Sequence, residues 1–158
     1  SREMREITLM RSADDKRRYE LEGLGWLQGG SWLKLSAEAS TPSGGWSFEA
    51  KGWSGGRAEA TSSRSGTVEG RYERTSAWSH RGVITWFGQS YDFVKTSTWR
   101  YRFQLLQDEV TLLEIEANFS QKKPAVARLE EGADIDPGLV FFAVWLTRLF
   151  VAQDSAAT

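Results

Sequence analysis

The stretch "DIDPGLVFFAVWLTRLFVAQ", residues 134–153, decides how this 158-residue chain must fold. Between Gly138 and Ala152 only Thr147 and Arg148 are polar, so a helix here has no polar face to turn toward water. Pro137 suits a first helical position, because it lacks the N–H that would go unsatisfied there, and Asp136 before it can accept from the first free amides. The pattern predicts one long helix over 137–152, apolar on every side. At 1.5 Å per residue its apolar run is roughly 22 Å long, short of the ~30 Å hydrocarbon core of a bilayer. Arg148 interrupts it, and neither a basic flank nor an aromatic belt borders it. No transmembrane segment is expected, so the helix needs a protein shell.

The preceding sequence can supply one. From Tyr19 to about Glu131 short runs alternate apolar and polar residues, the period of half-buried antiparallel strands. "SWLKLSAEA" sets Leu33, Leu35, Ala37 and Ala39 against Trp32, Lys34, Ser36 and Glu38, and "GWSFEAKG" sets Trp46, Phe48 and Ala50 against Ser47, Glu49 and Lys51. "TVEGRYER" alternates Val68, Gly70 and Tyr72 with Glu69, Arg71 and Glu73. In "TWRYRFQLL", Trp99, Tyr101, Phe103 and Leu105 oppose Arg100, Arg102 and Gln104. Turn formers at 42–45, 54–56, 64–66, 87–90 and 106–109 divide these runs at hairpin spacing. "EVTLLEIEANFSQKKPAVARLEEG" adds two strands joined near 118–123.

When about ten or more such strands close into a barrel, they leave a lumen that side chains alone do not fill, and an apolar helix threaded through it would bury their inward faces. The expectation is a mainly β fold, one domain over 1–158, with strands over 19–131 forming a closed antiparallel barrel around the C-terminal helix. The alternative is a lipocalin-like carrier whose lumen stays open for a small apolar ligand while the helix packs outside.

Composition narrows the chemistry. Lys and Arg total 20 against 21 for Asp and Glu, which gives no overall attraction to nucleic acid, and none is expected as a partner. The absence of cysteine excludes disulfides, thiolate metal sites and cysteine nucleophiles, and the single histidine, His80, leaves little for a metal site or a triad. No cofactor and no metal are expected. The charged start "SREMREITLMRSADDKRRYE" shows no secretory signal, so a cytoplasmic location, peripheral to a membrane, is the default.

Taken together, "GWSFEAKGW", "GTVEGRYER", "GVITWFGQSYDFV" and "STWRYRFQLL", followed by the acidic-Pro apolar helix "DIDPGLVFFAVWLTRLF", resemble the tubby C-terminal-like superfamily. Within it the chain is most similar to the small LURP-one-related and phospholipid-scramblase-like proteins. The resemblance covers roughly Tyr19 to Ala152 and implies about twelve antiparallel strands around a central hydrophobic helix. It also implies binding of anionic phospholipid or phosphoinositide head groups through basic residues, or a protein-scaffold role, with no catalysis.

Candidate cations for such a head-group site are Lys16, Arg17 and Arg18 before the first predicted strand, Lys95, Arg100 and Arg102 around "VKTSTWRYR", and Lys122 with Lys123 in a turn. Arg100 and Arg102 share a strand face and can meet a phosphate together. For catalysis the sequence offers Glu114 and Glu116, two apart on one strand, and His80; surface glutamates on an alternating strand and a solvated loop histidine look the same. Trp26, Trp32, Trp53, Trp78 and Trp86 are candidates for a stacking platform in a carbohydrate-binding module, whereas Trp46, Trp99 and Trp145 are expected in the core.

Overall fold

A computed structural model describes residues 4–14, 17–29, 35–52, 56–76, 81–96, 101–117, 126–130, 132 and 134–156. The strands run β1 (Met4–Thr8), β2 (Met10–Arg11), β3 (Arg18–Leu21), β4 (Gly25–Gly29), β5 (Ser36–Thr41), β6 (Gly44–Lys51) and β7 (Arg57–Ser62). They continue as β8 (Val68–Arg74), β9 (Gly82–Trp86), β10 (Gln89–Lys95), β11 (Tyr101–Gln107), β12 (Val110–Ala117) and β13 (Val126–Glu130), and the chain then enters helix α1 (Pro137–Ala156). Every strand pairs antiparallel with its sequence neighbour from β2 to β13, and β1 returns to pair with β13. The two ends of the sheet are therefore one piece of chain. Met4–Thr8 runs along β13, buried Leu9 turns the backbone, and Met10–Arg11 continues along β3. Counted as one bent strand, this gives the expected twelve and leaves the barrel nearly closed, with little open edge to pair with another chain.

The first strand pair was not legible in the sequence reading, which began the barrel at Tyr19. Ile7 and Leu9 are buried, but Arg5, Glu6 and Arg11 beside them give the segment the look of a charged leader. A second correction concerns Leu35. It does not extend the inward row of Ala37 and Ala39; it sits at φ 57° and 38 % exposed, so β5 starts one residue later. The predicted period holds at Trp46, Phe48, Tyr72, Phe103, Leu105, Leu113 and Ile115, which all point into the barrel and are buried, but not at Val68, where the register with β7 slips so that it pairs with Thr61 and is only half-buried. Trp99 lies outside the described residues.

The helix fills the lumen. Leu139 through Thr147 are all at most 2 % exposed, which a helix achieves only when walls surround it. Its rings meet the strands from several sides: Phe142 lies 5.3 Å from Phe48 and 5.8 Å from Trp86, Trp145 stacks on Phe48 at 5.7 Å, and Phe150 lies 5.4 Å from Tyr72 and 5.7 Å from Phe103. Thr147, the one buried hydroxyl among them, donates to the Ala143 carbonyl at 2.9 Å. The helix runs four residues past the predicted end at Ala152, because "QDSA" contains neither glycine nor proline to stop it.

The start of the helix is built as the sequence predicts. The Asp136 carboxylate accepts from the Gly138 amide at 2.9 Å, and its other oxygen accepts from the Trp86 indole at 3.1 Å. Trp46 and Trp86 lie 4.5 Å apart against Gly138, where a side chain would collide with both indoles. Gly70 performs the matching service on β8, leaving room for the Trp86 ring across the sheet. Trp86 is thus a core residue, 3 % exposed, and not part of a stacking platform.

Candidate functional site

Of the basic residues proposed from sequence, the four that are described, Arg17, Arg18, Lys95 and Arg102, fall at one end of the barrel, the end where α1 finishes. Arg17 precedes β3, Arg18 begins it, Lys95 ends β10 and Arg102 is the second residue of β11. Lys16, Arg100, Lys122 and Lys123 lie outside the described residues, as do His80 and the tryptophans Trp32, Trp53 and Trp78. In sequence, Trp32, Trp53, Trp78 and Trp99 each fall in a connection of five to seven residues, namely 30–35, 52–56, 75–81 and 96–100. The hairpins 42–43, 87–88 and 108–109 join strands at the opposite end, where α1 begins.

Arg102 and Lys95 share that end but not a face. Lys95 pairs across the ladder with Phe103, whose side chain is fully buried, so its Cβ faces the inside of the barrel; Arg102, one residue earlier, faces outward. On the outer wall Arg102 belongs to a ladder of paired charges. It donates to Glu116 at 3.2 Å and lies 3.8 Å from Glu114, while Arg128 on β13 binds Glu114 and Glu116 at 3.1 Å each and Glu6 on β1 at 3.1 Å. Gln104 donates to Glu114 at 2.9 Å. Three carboxylates against two guanidinium groups leave this ladder with net charge −1 (2 − 3), the wrong sign for a phosphate. The mutual bonding also leaves Arg102, Glu114 and Glu116 half-buried where full exposure was expected.

The same ladder accounts for the carboxylate pair. The hydrogen bond from Arg128, reinforced by Arg102, holds the Glu116 carboxyl below its ordinary value despite partial burial. A general acid needs the opposite shift. The paired glutamates therefore read as structural cross-strand contacts.

The inside of the same rim has a different character. Arg11 lies opposite buried Tyr19, Arg74 follows two residues after buried Tyr72, and Lys95 follows two after buried Phe93, so all three occupy inward-facing positions where the wall ends. The helix contributes Arg148. Its guanidinium lies 4.5 Å above the Tyr19 ring and donates to the Tyr19 hydroxyl at 3.1 Å, while Arg11 donates to the same oxygen at 3.2 Å. On the far side of the helix, Arg74 stands 5.9 Å from the Phe150 ring. Burial holds Arg148 below the ordinary guanidinium value, and the like charge of Arg11 acts in the same direction. Among the described residues the acidic group on the helix at this end is Asp154. Among the described residues on the inner side of this rim, four cations therefore stand around the end of the helix beside that one helix carboxylate.

Sequence reasoning found Lys95 but missed Arg11, Arg74 and Arg148 as members of one group. Arg148 had been read only as an interruption of an apolar run. The signal existed: an arginine placed two residues after an inward aromatic at a strand's end, in "RYER" and, with lysine, in "DFVK", marks the wall's rim. Arg18 stays on the outer face, stacked 4.1 Å from the Trp26 ring and bonded to Gln28 at 2.9 Å, so that tryptophan is covered by its own neighbour.

Compared with known proteins, the chain matches no family model, no curated protein and no solved structure. What the geometry itself defines is a class: a nearly closed antiparallel barrel, its lumen filled by its own C-terminal helix, with a cationic mouth where that helix ends. No helix among the described residues is long and apolar enough to cross a membrane, and no group of three or more metal-ligating side chains is found among them.

Proposed function

We propose that this chain is a non-enzymatic barrel of the tubby-like kind that attaches peripherally to membranes by holding an anionic phospholipid head group at its mouth. The observation that carries the reading is the convergence of Arg11, Arg74, Lys95 and Arg148 around the end of the helix, on the inner side of the rim, whereas Arg102 and Arg128 on the outer wall are bonded to Glu6, Glu114 and Glu116. Guanidinium groups suit a phosphate monoester or diester because they donate two parallel bonds to its oxygens. The resemblance of the strands and the acidic-Pro helix to the tubby superfamily points the same way. An internal apolar ligand is disfavoured, since the helix takes the space it would need.

Co-sedimentation with vesicles tests this. The chain should bind phosphatidylcholine vesicles containing phosphatidylserine more tightly than pure phosphatidylcholine ones, and less tightly as salt rises past ~0.15 M, where the Debye length is about 8 Å. Arg11→Gln with Lys95→Gln should weaken the anionic preference, and Arg102→Gln should weaken it less, because that side chain serves the outer ladder. No preference for anionic vesicles, or one untouched by the rim substitutions, would leave a protein-scaffold role as the better account.

A further inference from the structure

Two pairs of arginines among the described residues each meet at a single oxygen, and the two pairs differ in one respect. On the outer wall Arg102 and Arg128 both bond to Oε2 of Glu116, at 3.2 and 3.1 Å, and the anion between them cancels charge. At the mouth Arg11 and Arg148 each donate from Nη2 to the Tyr19 hydroxyl oxygen, at 3.2 and 3.1 Å, and that oxygen belongs to a neutral phenol. The phenol brings two like charges together and cancels neither. Their approach is unfavourable by itself, because burial, and after it the like charge of Arg11, act against the protonated form of Arg148. An anion arriving between the two guanidinium groups relieves that repulsion.

We infer that Tyr19 is the positioning residue of the mouth, its hydroxyl holding Arg11 and Arg148 side by side as a two-guanidinium clamp for one phosphate group. This role rests on the head-group reading and adds to it the residue that orders the site. Tyr19 suits the task because it is fixed in the wall: it is 7 % exposed on β3, with Arg11 as its cross-strand partner on β2. Its ring lies under both cations, 4.5 Å from the Arg148 guanidinium and 5.7 Å from that of Arg11, and an aromatic face attracts a cation without neutralising it. A hydroxyl oxygen can accept two bonds at once, and a guanidinium that gives it one N–H has others for a phosphate oxygen. Ordering two long side chains before the anion arrives removes a cost that binding would otherwise carry. The same clamp takes the phosphate of a lipid head group or a free phosphate ion.

Two measurements on the intact chain separate those sources. Arginine side-chain NMR during titration with inorganic phosphate reads the clamp without a membrane, and co-sedimentation with phosphatidylserine in phosphatidylcholine vesicles reads the head group. In the original chain the Nε–Hε signals of Arg11 and Arg148 should shift together as phosphate is added. Tyr19→Phe keeps the ring and removes the oxygen, so phosphate affinity and the preference for anionic vesicles should each fall about fivefold, roughly the cost of ordering one long side chain. Arg11→Gln, at an exposed position, guards against a folding defect in that variant and should weaken the phosphate response of Arg148 as well. Absence of the paired shift in the original chain, or a response of equal strength in Tyr19→Phe, overturns the clamp. A paired shift that needs Tyr19, on a chain with no preference for anionic vesicles, supports the clamp and refutes the head-group reading instead.

Discussion

Replacing Gly138 by alanine sets two physical effects against each other, and the structure predicts which one wins. In an isolated helix the change should stabilise by about 0.5–1 kcal/mol, because alanine loses less backbone freedom on ordering. In this barrel the new methyl would collide with the Trp46 Nε1, and lie 2.8 Å from its Cε2 and 2.9 Å from the Trp86 Cζ2. Neither indole is free to step aside: Trp46 packs against Trp86 at 4.5 Å, and Trp86 is fixed by its bond to Asp136. Overpacking of this kind costs about 1–3 kcal/mol. The net expectation is a loss of about 0.5–2 kcal/mol, a drop of roughly 1–8 °C in melting temperature for a domain of this size. Thermal and urea unfolding followed by tryptophan fluorescence measure it. A double-mutant cycle sharpens the result, because Trp46→Phe removes the Nε1 and Cε2 atoms that the methyl strikes and leaves only the Trp86 contact at 2.9 Å, so Gly138→Ala should cost less in that background. A stability gain in the original chain, or an equal loss with and without Trp46, would show that the helix start is not seated against these indoles.

Two further outcomes follow from the core and the ladder. Val144→Asp places a charge in the middle of the helix, where the residue is 2 % exposed and surrounded by apolar walls; the cost is several kcal/mol and the expected result is loss of soluble folded protein, checked by circular dichroism and gel filtration. For Glu116, whose carboxyl is held below its ordinary value, the sign of the linkage is that its contribution to stability is present above the unfolded value of about 4.3 and is lost as pH falls through the lower folded value. Arg128→Gln should therefore move the Glu116 carboxyl titration, followed by carbon-13 NMR, up toward the ordinary range and flatten the fall of stability between about pH 5 and pH 3; an unmoved titration would mean that Arg102 alone holds it.

The sequence by itself determined the local period and, through one segment, the architecture. Alternation in "GWSFEAKG" and "YRFQLLQ" is enough to assign faces, since a strand's side chains have only two directions to choose from. An apolar helix with no polar face demands enclosure, so "GLVFFAVWLTRLFVA" implied a closed wall before any strand pairing was known. The N-cap at Asp136 was likewise local, a matter of one carboxylate and the amide two residues on. What only the tertiary structure decided are the relations that no period encodes. Closure through "MREITLMR" depends on long-range pairing of Met4–Thr8 with Val126–Glu130, and the charged neighbours of Ile7 and Leu9 hid it. The division of cations between an outer ladder and an inner rim depends on where each strand ends relative to the wall. Arg102 is committed because Glu114 and Glu116 on the adjacent strand meet it, where Arg128 from the next strand binds the same carboxylates. Arg11 and Arg148, far apart in sequence, share the Tyr19 hydroxyl only because the last turns of the helix emerge beside the first bent strand.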